Sequence, residues 1–368
     1  MVKHNYYFYY LFLINALINI INFVPRGLIN ERFSGAIMAI LASIPIGVAF
    51  TFMLVKLMSK FPGEDLPQIF NANFKRSIAS FLLILHGLLW YSAGLVTLLS
   101  FVDVTLRYIS SDVQPFFIML GFLVLVGLCI RATAESILYG LEVLIILNVP
   151  IIIYVLAKAL LNPSFSWDAV MQIITYSWEA PSFQGIATGT FIFSGYLNLV
   201  IFNKAFKAIK VRHYWFLGLS GLVVLLITFL VPVGMHGTMG VTRHVYPWFS
   251  TADVLRTKNF IVERVLFMFY FTYLSLALIS CIVHWHCAMV FFKGALPAMR
   301  TGKSRFRLEM VLLVLFAVGA LYAQNLDQYS MDRIGLWFMD IRFCAEAILI
   351  TCVFTAYRLF RRRRPRAS

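Results

Sequence analysis

Charge is scarce in this sequence, and acidic charge is scarcest. Asp, Glu, Lys and Arg make up 13% of its 368 residues, with 16 acids against 31 bases. A soluble globular domain carries roughly a quarter charged residues, so that class is excluded. Cysteine is sparse too. Cys129, Cys281, Cys287, Cys344 and Cys352 all fall in apolar stretches, and an odd number so spread is no disulfide framework. No Gly-rich phosphate loop, His-Glu-x-x-His zinc motif or Gly-x-Ser-x-Gly elbow occurs. The sequence points away from an enzyme and implies no cofactor. No linker divides it, so residues 1–368 read as a single domain ending in a short basic tail, 358–368.

Long apolar runs fill the chain instead. It is 61% hydrophobic, with a mean hydropathy of +0.84. About ten runs approach the roughly 20 apolar residues that a bilayer-crossing helix needs. They lie near 6–24, 34–58, 77–102, 116–133, 136–160, 184–203, 214–233, 261–291, 309–323 and 335–357. Such runs have to be helices, because lipid offers backbone groups no partners. Pro25-Arg26-Gly27 follows the first run where a small-residue cleavage site would stand, so that run is read as a span and not a signal.

About two-thirds of the Lys and Arg fall in every second gap and at the ends, from Lys3 through Lys56, Arg131, Lys204 and Lys293 to Arg358–Arg366. Positive residues stay inside, which puts both termini in the cytoplasm. The net charge of +15 therefore faces anionic membrane lipid, not nucleic acid.

The stretches from Lys60 to Leu66, Tyr246 to Arg264 and Phe191 to Tyr196 together resemble the spore germination receptor B-subunits, or spore permeases, of the amino acid–polyamine–organocation superfamily. Lys60-Phe61-Pro62-Gly63-Glu64-Asp65-Leu66 is like the family's basic-Phe-Pro-Gly-x-x-Leu loop. Tyr246-Pro247, Arg256 and Phe260-Ile261-Val262-Glu263-Arg264 are like its Tyr-Pro…Arg…Phe-x-x-Glu-Arg lead into helix eight. The third is Phe191-Ile192-Phe193-Ser194-Gly195-Tyr196 in segment six. The resemblance implies a LeuT-like inverted-repeat bundle with helices one and six broken. It also implies a midplane ligand pocket and partners: a membrane A-subunit and a lipoprotein C-subunit in the spore inner membrane. The chain departs from the family at Ile18–Pro25, where small residues and Gly are usual, and at Leu197, where many members are acidic.

Read from the residues, segment one carries Asn15, Asn19 and Asn22 on one helical face. Asn is costly in hydrocarbon, so the stripe faces either a polar cavity or a neighbouring helix that it hydrogen-bonds. In segment six, Ser194-Gly195 followed by Tyr196 and Asn198 suits a mid-span break that frees N–H groups for a carboxylate. The alternative is close packing of small residues. On the implied fold, segment three adds Trp90, Tyr91 and Gly94, with His86 a turn earlier, and segment eight adds Thr272 and Ser275.

Buried charge is the other signal. Asp103–Arg107 and Arg342–Glu346 have ion-pair spacing, and Glu142 stands as the loneliest acid. Cys281-Ile-Val-His284-Trp-His286-Cys287 imitates a metal box, but His284 and His286 point to different helix faces. No metal is implied. The resemblance implies one of two functions. The first is a receptor subunit that binds a small nutrient, an amino acid, and triggers germination. The second is a secondary amino-acid transporter working by alternating access.

Overall fold

Helix in lipid satisfies its own backbone, and the computed structural model, which describes residues 5–21, 23–257, 263–296 and 302–363, is built on that rule. Its α-helices are α1 Tyr7–Asn19, α2 Phe23–Asn30, α3 Ala36–Met58, α4 Leu66–Asn73, α5 Arg76–Tyr108, α6 Pro115–Cys129, α7 Ala134–Leu160 and α8 Trp167–Ile174. Then come α9 Phe183–Thr190, α10 Leu199–Phe202, α11 Tyr214–His236, α12 Pro247–Val254, α13 Val265–Ala295, α14 Gly302–Ala323 and α15 Gln328–Arg363. Among the described residues the one extended pairing outside helices is an isolated bridge, Arg256 to Arg264.

Among the described residues eight helical runs are long and apolar enough to cross a bilayer, one of them Phe183–Ala205 through α9 and α10; α1 and α2, bent by 58°, make a ninth when taken as one span. The chain is an all-α integral membrane protein. The tenth expected span is α6, whose 15 residues fall short of a full crossing. Several helices outrun the apolar stretches that announced them. Expected over 77–102, 309–323 and 335–357, three of them run Arg76–Tyr108, Gly302–Ala323 and Gln328–Arg363, because helix continues into the polar ends once neighbours support it. The eighth segment was expected from 261; residues 261 and 262 lie outside the described residues, and α13 begins at Val265.

Local chemistry explains the ends. The Asp65 carboxylate accepts from Gln68 N–H while the Gln68 side chain accepts from Asp65 N–H, both at 3.0 Å, closing a capping box on α4. Gly63 just before it has φ +73°, a conformation that suits glycine. Ser182 caps α9 by accepting from Gly185 N–H at 2.8 Å.

Burial shows what lies at the centre. The most apolar window of Phe183–Ala205 is 94% buried, against 22% for α7 and 28% for α14 and α15. The sixth segment is thus the axis of the bundle. α5 and α13 pack along each other beside it, and α6, α7 and α14 turn Leu128, Ile146 and Val314 outward as lipid-facing surface.

The basic gaps meet at one end of the bundle. There Lys293 and Arg131 both pair with Glu309, at 2.8 and 3.4 Å, and Arg363 donates to Ala72 O at 2.7 Å. The opposite end is tied by Arg26–Asp332 at 2.5 Å, Arg107–Asp103 at 2.8 Å and Arg264–Asp253 at 2.7 Å.

Candidate functional site

Among the described residues two spans depart from regular α geometry, and α1 packs on the irregular stretch of the other. The first span bends between Asn19 and Phe23. In the sixth, Phe191–Asn198 winds as a 3-10 helix. Segment six was expected to break open at Ser194-Gly195. It tightens instead, and a side-chain donor from the first span reaches its carbonyls. Asn15 answers them, donating through Nδ2 to Phe191 O at 2.5 Å and Ile192 O at 3.4 Å. Gly195 permits the approach, since a Cβ there would lie 2.2 Å from Leu11 O and 2.8 Å from Phe12 Cα.

From the other side, α15 grips the same segment with two buried charges. Arg342 donates through Nη1 to Glu346 Oε1 at 2.6 Å and to Ser194 Oγ at 2.7 Å, and through Nη2 to Ala187 O and to Thr190 Oγ1 at 3.2 Å. Glu346 also accepts from Ser194 Oγ–H and, at 3.1 Å, from Tyr196 OH. Arg342 and Glu346 are 5% and 2% exposed, so the pair is isolated from water.

Beside this pair lies a cavity of about 40 Å³. Its walls are His86, Leu89, Trp90 and Ala93 of α5, Phe191, Ser194, Leu197 and Asn198 of the sixth span, His284 of α13, and Phe338, Arg342, Ala345, Glu346 and Leu349 of α15. Trp90 Nε1 donates to Asn198 Oδ1 at 2.8 Å. Three wall atoms are buried without a partner: His86 Nε2, Asn198 Nδ2 and Arg342 Nε. An unmade buried hydrogen bond costs about 1–3 kcal/mol, so three round one void mark a place for a polar guest.

The structure brings Trp90, Ser194 and Asn198 of the sequence-read residues together on this cavity. Tyr196 reaches its rim by bonding Glu346, and Gly195 faces α1. The others lie elsewhere. Asn15 bonds segment six, Asn19 donates to its own helix at Asn15 O, 2.7 Å away, and Asn22 lies outside the described residues. Gly94 seats the Trp285 indole, which stacks on Tyr91 and donates to Tyr91 O at 3.1 Å, while Tyr91 OH donates to Phe316 O at 3.2 Å. Ser275 exchanges bonds with Asn148 on α7, and Thr272 is buried with no partner for its hydroxyl.

Sequence reading named His86 beside the pocket residues of segment three, but did not assign His284, Phe191, Phe338, Arg342 or Glu346 to a pocket. Lone polar residues in apolar helices were the available signal, but only packing decides which of them share a void. Glu142 is not isolated either, since it accepts from Tyr7 OH at 2.7 Å and Tyr6 OH at 3.4 Å. His284 and His286 bind different carbonyls, Ser280 O and Ile130 O, as their opposite faces require.

On the cavity wall Phe191 and Phe338 pair edge-on with centroids 5.9 Å apart, and Arg342 sits 4.9 Å over the Phe191 ring. A separate recess of about 260 Å³ is lined by Phe23, Arg26, Asn30, Tyr329, Asp332, Arg333 and Leu336. At the basic end a vestibule of about 990 Å³ opens between α4, α13 and α14. Its floor at Asp65 is dry enough that burial raises the carboxyl's pKa, against the opposing pull of the Gln68 N–H and Lys204.

A spore permease family model, described as spore germination protein, matches residues 11–329. The chain belongs to that family. The match takes in the bent first span, the 3-10 segment, α13 and the start of α15. It also spans all three stretches that carried the resemblance. The first of them is tied to the sixth span, since Asn203, just past α10, donates to Phe61 O at 2.8 Å and Glu64 O at 2.9 Å of the Phe-Pro-Gly loop. No curated protein matches the chain.

Proposed function

We propose that this chain is the membrane subunit of a spore nutrient-germinant receptor, and that the cavity between α5, Phe191–Asn198, α13 and α15 holds a small nutrient, an amino acid. The observation that carries this is the set of unpartnered buried atoms, His86 Nε2, Asn198 Nδ2 and Arg342 Nε, around one void. The bend in the first span and the 3-10 turn in the sixth sit five spans apart, which suits a LeuT-like inverted repeat with its site between them.

At about 40 Å³ the cavity has room for a few waters, so this is a closed form. A nutrient enters when Phe191 and Phe338 part and the Arg26–Asp332 pair opens. It then biases the bundle by binding the two forms unequally, the only way a ligand shifts an equilibrium. The basic end faces the cytoplasm and the 260 Å³ recess faces outward. The A-subunit and the lipoprotein C-subunit read the change.

Paired binding and uptake of radiolabelled amino acids in proteoliposomes tests this. Saturable binding without accumulation is the expected result. Accumulation driven by an ion gradient would make the chain a secondary transporter. Absence of both signals from folded protein would remove the nutrient site.

A further inference from the structure

The polar wall of the cavity sorts into groups that accept and groups that donate. Nδ1 of His86 lies 2.7 Å from Leu82 O, and Nδ1 of His284 lies 2.7 Å from Ser280 O. A carbonyl only accepts, so each Nδ1 carries the hydrogen, and in a neutral ring each Nε2 holds a lone pair. At Asn198 the sense is opposite. The Trp90 indole only donates, so the atom facing it is Oδ1, and the amide's two N–H bonds are left over. Arg342 Nε–H is a further donor without a partner.

The charged groups on the wall are Arg342 and Glu346, and they cancel. Glu346 Oε1 accepts from Arg342 and Ser194 and Oε2 from Tyr196, and Arg342 offsets its charge, so the carboxylate is not a free counter-charge for a cation. The rest of the lining, including Leu89, Ala93, Leu197 and Leu349, is apolar.

We propose that the cavity selects a net-neutral zwitterion with a small apolar side chain. Its ammonium is received by two neutral imidazoles, His86 and His284, and its carboxylate by the Asn198 amide and Arg342 Nε–H. This rests on the reading of the cavity as the nutrient site. Ligands with net charge are excluded because the wall offers no unpaired counter-charge, and an uncompensated buried charge is costly.

The test is equilibrium binding to the full-length chain in proteoliposomes with glycine, L-alanine and L-valine, and with propionate, ethylamine, L-lysine and L-glutamate. At least one of the three neutral amino acids binds, and the single-charge and extra-charge compounds bind at least roughly tenfold more weakly, the weight of one charge-assisted hydrogen bond. H86L and H284L each weaken the amino acid by about tenfold and leave propionate unchanged. H86Q and H284Q, which restore an acceptor oxygen, recover part of the loss.

Equal weakening of amino acid and propionate in the Leu variants would make the imidazoles structural and overturn the proposal. So would propionate binding as well as L-alanine, or unaltered affinity in both variants; in each case the nutrient site itself would stand. Failure of every compound to bind folded wild-type protein would defeat the nutrient site and this inference together.

Discussion

Arg342 and Glu346, one turn apart on α15, hold the sixth span where α9 passes into the 3-10 segment. Arg342 takes Ala187 O, Thr190 and Ser194, and Glu346 takes Ser194 and Tyr196. The ion pair is therefore a clamp across the tightened stretch of the sixth span as well as a wall of the cavity. α15 cannot slide along the sixth span without breaking a buried, charged contact.

Removing one partner of that clamp strands the other charge in a dry site. Arg342→Ala or Glu346→Ala should each lower stability by about 3–5 kcal/mol. The double replacement R342M/E346L should lose clearly less than the sum of the single losses. Thermal unfolding of the purified protein in detergent measures this, and additive losses would show that the two charges do not act as a pair.

The Arg26–Asp332 pair is different, because its side chains are 31% and 18% exposed. Solvent-screened pairs contribute about 0–1 kcal/mol, so Arg26→Ala should barely move the melting temperature. It should speed reaction of a thiol reagent with a cysteine placed at Ala93, severalfold over the same cysteine beside Arg26. An unchanged labelling rate would take the pair off the route into the cavity.

Glycine matters at Gly195 for reach. Gly195→Ala places a methyl against the Leu11 and Phe12 backbone, which cannot rotate away, and should cost about 1–3 kcal/mol or more. Gly121→Ala on α6 is the control: nothing lies within 4 Å of its Cβ position, and losing a helical glycine gains about 0.5–1 kcal/mol. Equal melting temperatures for the two variants would contradict the packing of α1 on segment six.

The asparagines separate glue from site. Asn15→Leu should destabilise the fold by about 1–2 kcal/mol by orphaning the Phe191 carbonyl. Asn19→Leu should leave ligand affinity intact, since its amide serves its own helix. Asn198→Leu should abolish binding while membrane insertion persists. Binding that depends on Asn19 and not on Asn198 would move the site to the first span.

Part of the site was legible in the sequence, and the part that was not has a common cause. Ser194, Asn198 and Trp90 stand out as polar or amphipathic groups in apolar spans, and they do meet at the cavity. Tyr91 is Trp90's neighbour in sequence but points a helical step away, into Trp285 and Phe316. The stripe Asn15–Asn19 looks toward the right span, yet its amides are consumed by carbonyls there and on its own helix. His284, set aside with the apparent metal box, lines the cavity.

By itself the sequence determined the class of molecule: apolar runs of crossing length must be helices in lipid, and the spacing of basic gaps orders their ends. It also marked the sixth segment as irregular through Ser194-Gly195. Tertiary structure alone decided that the irregularity is a 3-10 turn, that Arg342 and Glu346 clamp it, and that two histidines from different helices share its cavity. Hydropathy is a local sum along the chain. Which face of each helix turns inward, and which buried groups are left without partners, is settled only when the helices pack.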